Sequence, residues 1–188
     1  MAIPADKLTD GQLWRRFKGG DQEALKVIYF RHYSILFNYG KKLTSSPELA
    51  EDCVQDLFLK LWRTQKNLGQ VVSIRAYLFK AYRRILLDLV KVQRRYTKFT
   101  DLPLEYDLML SVEQLTMQDE NQREQLNGLN SAIKSLSKRQ KEIVYLCFYR
   151  GFTYKEIEQI ISIKNQTIRN CVYEAVKTLR KSMNKVKY

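Results

Sequence analysis

The chain has 188 residues and sets 33 Lys and Arg against 20 Asp and Glu, a formal charge of +13 that favours a polyanionic partner over a generally basic solvated surface. Its 45% hydrophobic content supports a buried core, while only 7 Gly and 3 Pro favour helix throughout. No apolar run is long enough to span a bilayer, MAIPADKLTDGQLWRRFKGG lacks the apolar centre of a secretory leader, and Cys53, Cys147 and Cys171 lack metal-ligand spacing; a cytoplasmic protein with reduced thiols is expected.

Helices are predicted near residues 9–18, 21–43, 47–66, 73–95, 112–135, 138–149, 154–161 and 165–185, with no alternating strand pattern between them. Their starts are marked chemically. Thr9 with Gln12, Ser137 with Gln140 and Thr153 with Glu156 have capping-box spacing. Ser46-Pro47-Glu48 offers a cap, a proline at the first helical position and an acid in the first turn. The fold class is therefore all-α: two small helical domains, 1–95 and 126–188, joined by an acidic linker over 96–125. Between Lys60 and Lys98 the many cations are opposed only by Asp88, whereas DLPLEYDLMLSVEQLTMQDE is acidic. The chain turns basic again after Lys134.

Three constellations carry functional information. In PELAEDCVQDLFLKLW, Leu49, Cys53, Leu57 and Leu61 form one face, and Glu51, Asp52, Gln55 and Asp56 gather on another. An acidic face on a basic chain suits a protein partner better than nucleic acid, with plain solvation as the alternative. In SIRAYLFKAYRRILLDLVKVQRR, Tyr77, Phe79 and Tyr82 alternate with Arg75, Lys80, Arg83 and Arg84. Such cations track phosphates while rings stack on unpaired bases, although the same rings also suit helix packing. Finally, TYKEIEQI, a break at ISIK and NQTIRNCVYEAVKTLRK fit a helix-turn-helix. Ile157, Ile161, Ile163, Ile168 and Val172 clamp the pair, and Gln166, Arg169, Asn170, Tyr173 and Lys177 form a face shaped to read base edges.

Catalysis finds no support. His32 is the single histidine and sits among Ile28, Tyr29, Tyr33 and Leu36, as a packed helix residue would. No Gly-rich phosphate loop, Cys/His cluster or nucleophile elbow is present, so no catalytic residue, metal or cofactor is expected.

In this order, the three constellations resemble a sigma-70-family RNA polymerase sigma factor of the extracytoplasmic-function (ECF) group. The resemblance implies a subunit that binds core RNA polymerase, recognises promoter −10 and −35 elements and directs transcription initiation. Asp52, Gln55, Asp56, Phe58 and Trp62 match the motif that docks on the polymerase clamp. The segment from Lys66 and Asn67 to Val72, with the helix carrying Arg75, Tyr77, Phe79, Lys80, Tyr82, Arg83 and Arg84, corresponds to the part that captures unpaired −10 bases. The helix-turn-helix corresponds to the −35 reader, with Lys164, Asn165, Gln166, Thr167, Arg169, Asn170, Tyr173, Lys177 and Lys181 on its DNA side. An anti-sigma factor, often membrane-bound, is the further partner implied. The chain departs from the family pattern at Cys171, Glu158 and Arg84, and Lys164 occupies a frequent Ser cap, leaving Asn165 as the cap. A free-standing helix-turn-helix regulator is the alternative, and it does not explain the acidic docking helix.

Overall fold

The computed structural model describes residues 7–44, 46–96 and 120–185, with side-chain environments over 7–44, 46–92 and 128–182. Eight α-helices are present among them: α1 (Asp10–Lys18), α2 (Gln22–Thr44), α3 (Pro47–Thr64), α4 (Ile74–Tyr96), α5 (Glu120–Ser135), α6 (Lys138–Val144), α7 (Tyr154–Ile161) and α8 (Asn165–Lys185). No strand occurs among the described residues. The helices fall into two compact units, one built on α1–α4 and the other on α5, α6, most of α7 and α8. Most of the expected acidic linker, residues 97–119, lies outside the described residues, as does the expected helical start at 112.

The capping chemistry appears where the sequence places it. Thr9, Ser137 and Thr153 each donate a backbone N–H to the side chain three residues on, at 2.9 Å in all three cases. The Leu49 amide donates to Ser46 Oγ at 3.2 Å, with Pro47 opening α3. These bonds satisfy amides that a helix start leaves without an intrahelical partner.

In the N-terminal unit, α2 packs against α1, α3 and α4. Its core holds Leu13, Trp14 and Phe17 from α1, Ile28, Leu36 and Tyr39 from α2, Leu57 from α3, and Leu78, Phe79 and Tyr82 from α4. One crossing is closer than ordinary side chains allow. The buried Tyr82 hydroxyl lies over Gly40 and donates to the Ala50 carbonyl at 2.8 Å. A Cβ on Gly40 would collide with that hydroxyl and would approach Ala50 Cβ to 2.9 Å. Glycine is required here by proximity, since its backbone is ordinary helix.

His32 is buried on α2, and neither ring nitrogen has a hydrogen-bond partner. The sequence reading of a packed histidine holds. Burial holds its pKa below the ordinary histidine value; Asp10 opposes that effect and the cations Arg75 and Arg31 add to it.

In the C-terminal unit, α5 and α6 pack on α8. Leu136, Val144 and Ala175 form a cluster against which Leu179 packs. The predicted continuous helix over 138–149 is corrected. After Val144 the chain widens into a π-helical turn, Tyr145–Tyr149, with the Arg150 amide donating to the Tyr145 carbonyl at 3.1 Å. Tyr145 and Leu146 are buried by this turn while Phe148 and Tyr149 remain exposed. Gly151 then reverses the chain at φ 63°. The break between α7 and α8 runs through Ser162 at φ 56°, a left-handed conformation that lets its amide donate to the Glu158 carbonyl at 2.9 Å.

Two outcomes follow for stability. Gly40→Ala is expected to lose about 1–3 kcal/mol in urea unfolding, the range for overpacking, while Tyr82→Phe loses about 1 kcal/mol with its hydrogen bond. With His32 depressed in the folded state, the unfolded chain takes up a proton first as pH falls below about 6.5. The melting temperature should therefore fall between pH 7 and 5, and His32→Leu should flatten that part of the profile.

Candidate nucleic-acid and protein interfaces

The first surface is the outer face of α3. Packing consumes Ala50, Cys53, Val54, Leu57 and Leu61, which turns Asp52, Gln55 and Asp56 outward together. Leu59 and Trp62 continue this row and are 53% and 36% exposed. The face is thus acidic at its N-terminal end and apolar at its C-terminal end. Phe58 is corrected: it is buried, with its ring edge-on to Tyr29 at 4.9 Å between centroids. It supports the face from beneath. The buried Cys53 thiol is pushed up to about 12, first by burial and then by Asp56 and Asp52, so it is inert as a nucleophile.

A row of rings on α2 flanks this surface and was missed from sequence. Tyr29, Tyr33 and Phe37 lie ring to ring, with centroids 5.3 and 5.8 Å apart, and the Lys41 ammonium caps Phe37. The Tyr33 hydroxyl donates to Glu51 at 3.2 Å, tying the row to α3. The three- and four-residue spacing of these aromatics was the available signal.

The second surface combines the short segment after α3 with α4. A 3₁₀ turn, Gln65–Asn67, leads into the connection, and Lys66 and Asn67 are exposed. At the connection's centre the buried Trp14 indole N–H donates to the Gly69 carbonyl at 3.0 Å, while Val72 beyond it is fully exposed. On α4 the three candidate rings separate. Phe79 and Tyr82 are completely buried and belong to the core, because their positions face α2 and Tyr39. Both are corrections to the stacking reading. Tyr77 is half-buried, edge-on to Trp14, and borders a cleft of about 330 Å³ between α3 and α4. Lys80 and Arg84 line that cleft from α4, and Lys60, which opens the cationic run but is not among the expected −10 residues, faces them from α3. Arg84 also pairs with Asp88 at 3.8 Å, and both are exposed. Arg75 and Arg83 are half-buried.

The third surface is α8 with the start of α7. Ile157, Ile161, Ile168 and Val172 are buried as expected, and Ile163 is half-buried. Cys171 lies on the half-buried side of α8, not on its outer face. Gln166, Thr167, Arg169, Asn170, Tyr173, Lys177 and Lys181 are exposed together with Lys164. The expected Asn165 cap is corrected. The Lys164 carbonyl accepts from Thr167 and Ile168 at 2.9 and 3.2 Å, so Lys164 is the cap and Asn165 the first helical residue. Freed from capping, the Asn165 side chain accepts from Arg169 Nε at 3.0 Å. Gln166 donates to Asn170 in the same pattern, also at 3.0 Å. The Arg169 guanidinium lies 5.6 Å from the ring centroid of Tyr154, another residue missed from sequence.

Comparison with known proteins matches both halves of the chain. Residues 28–96 match the family Sigma-70 region 2, and residues 132–181 match Sigma-70, region 4. The chain is 25% identical over 163 residues to the ECF RNA polymerase sigma factor SigL of Mycobacterium tuberculosis, covering 86% of this chain and 90% of that protein. It is 22% identical over 177 residues to SigK of Mycobacterium bovis, covering 92% of each. Among solved structures, CnrH in complex with the cytosolic domain of CnrY aligns with a TM-score of 0.63 at 17% identity, over 94% of this chain and 97% of that one. The sigma factor RpoE of Bartonella quintana, solved with the anti-sigma factor NepR, aligns with a TM-score of 0.62 at 23% identity, over 85% and 96%. These structural likenesses establish the fold.

Proposed function

We propose how initiation is divided among the surfaces of this chain, which belongs to the sigma-70 family: it is an RNA polymerase sigma factor of the extracytoplasmic-function group that binds core polymerase, recognises promoter −10 and −35 elements and directs transcription initiation. The observation that carries the division is the outward row Asp52, Gln55, Asp56, Leu59 and Trp62 on a chain of net charge +13. An exposed acidic and apolar row on a basic protein suits a basic, partly apolar protein face. We assign it to core polymerase, with Phe58 as its buried support.

The −10 element falls to the N-terminal unit's cationic side. Lys66 and Asn67 flank the tethered connection, Lys80 and Arg84 line the α4 cleft, and Arg75 and Arg83 lie half-buried along the same helix. Cations spaced along such a groove follow a single strand's phosphates, and Tyr77 offers the one candidate ring that reaches the surface. The −35 duplex falls to α8. Gln166, Arg169, Asn170 and Tyr173 face base edges near its N-terminal half, and Lys177 and Lys181 reach phosphate further along. The domain limits 1–95 and 126–188 fit this division. The chain acts as an initiation factor with no chemistry of its own.

CnrH and RpoE were each solved with a second protein, in RpoE's case an anti-sigma factor. We assign this chain an anti-sigma partner as well, of the kind that is often membrane-bound in this family. No described helix of the chain is long and apolar enough to cross a membrane. The site of action we propose is the cytoplasm.

Asp56→Arg should weaken association with core polymerase on the order of ten-fold and leave the melting temperature within a degree or two, because Asp56 is exposed. Unchanged affinity in a folded variant refutes the docking assignment. Tyr77→Ala should slow opening of a duplex promoter, as read by permanganate footprinting, with stacking on one base worth about 1–3 kcal/mol. A pre-melted promoter should recover much of the rate. Equal defects on both templates make Tyr77 a packing residue only.

A further inference from the structure

Arg169 is exposed on α8, yet two neighbours hold its guanidinium. Nε donates to Asn165 Oδ1 one turn earlier at 3.0 Å, and the guanidinium carbon lies 5.6 Å from the centroid of Tyr154, the first residue of α7. Resting on the reading that α8 enters the −35 duplex, we propose that Tyr154 and Asn165 are positioning residues that aim Arg169 at a guanine and so set one base of the −35 preference.

The chemistry fits a single target. A guanidinium has five N–H donors in one plane, and Asn165 engages the one on Nε. The two terminal nitrogens remain, and their paired edge matches the O6 and N7 acceptors that guanine alone presents side by side in the major groove. The Tyr154 ring adds a cation–π contact to the guanidinium beside the hydrogen bond from Nε. An unheld arginine on a helix surface swings among phosphates and bases, losing rotamer freedom when it binds. Here much of that freedom is already lost in the free protein. The arrangement depends on the local fold, because Asn165 is available only since the Lys164 backbone caps α8. Tyr154 is placed by the Thr153 capping box, which fixes the start of α7.

The test uses holoenzyme reconstituted from the full-length chain and core RNA polymerase, binding a −35 duplex library. The unmodified protein should prefer guanine at one position by roughly ten-fold or more, and Arg169→Ala should erase that preference. Tyr154→Leu and Asn165→Ala should each reduce it about two- to five-fold, the scale of a lost cation–π or hydrogen-bond hold, with other positions and the melting temperature unchanged. Tyr154→Phe keeps the ring face and should retain the preference. Asn165→Asp keeps the acceptor and should retain it too, with lower affinity for every sequence because it adds negative charge beside phosphate. Replacing the preferred base by 7-deazaguanine, which lacks the N7 acceptor, should penalise the unmodified protein more than Tyr154→Leu. Full guanine preference in folded Tyr154→Leu and Asn165→Ala, alongside its loss in Arg169→Ala, overturns the positioning role and leaves the −35 reading intact. Loss in only one of the two removes the other residue from the proposal. A uniform loss across all positions in both variants overturns it in favour of a structural role. An unchanged profile in Arg169→Ala overturns the −35 reading itself.

Discussion

The N-terminal unit is organised by a phenol hydroxyl lying where a side chain would otherwise be. Tyr82 reaches across Gly40 to the Ala50 carbonyl, so one contact sets α2, α3 and α4 at a spacing that none of the three would choose alone. Buried hydroxyls are costly unless partnered, and this one is satisfied only while the Ala50 carbonyl of α3 stays within reach of α4 across Gly40. The rotation of α3 is thereby fixed, and with it the direction of Asp52, Gln55 and Asp56. The rotation of α4 is fixed by the same contact, which sends Phe79 inward and Lys80 outward. The faces proposed for polymerase docking and for strand capture thus share one packing constraint.

That constraint also explains why aromatics and cations divide as they do. Alternating rings and cations along α4 look like one functional stripe on paper. A helix turns 100° per residue, so neighbours in such a run face different directions. The core takes Phe79 and Tyr82, and the cleft keeps Tyr77, Lys80 and Arg84. Charge, with Tyr77 as its accessible ring, dominates the surface that remains. Affinity of that kind is sensitive to salt and indifferent to sequence, which leaves sequence discrimination to the few groups held in fixed geometry. Arg169 is held by two neighbours and is such a group.

Much of the architecture was legible because it rests on local chemistry. Thr9, Ser46, Ser137 and Thr153 announce helix starts through side chains that bond within three residues, and the helix spans follow closely. The α8 faces were legible because its apolar residues repeat cleanly. What escaped depended on contacts far along the chain or on unbroken apolar runs. IVYLCFY has no polar gap, so its period does not reveal the π-helical turn at Tyr145–Tyr149. Phe58, Phe79 and Tyr82 are amphipathic or apolar residues whose burial depends on which helix lies opposite. Tyr154, Lys60 and the α2 ring row acquire their roles only once a second helix is alongside. The capping of α8 by Lys164 was hidden because the bond uses its backbone, which carries no sequence signature.

The tether from Trp14 to Gly69 has a bearing on how this scaffold accommodates change. It fastens the connection between α3 and α4 near its middle, through a backbone carbonyl that any residue at position 69 would supply. The chain on either side is left as two short spans, and the outward side chains of Gln70 and Val72 contribute little to the fold. Identity at those tips is decoupled from stability. A protein with this arrangement can vary the residues it presents at this surface while the tryptophan keeps the path of the backbone constant.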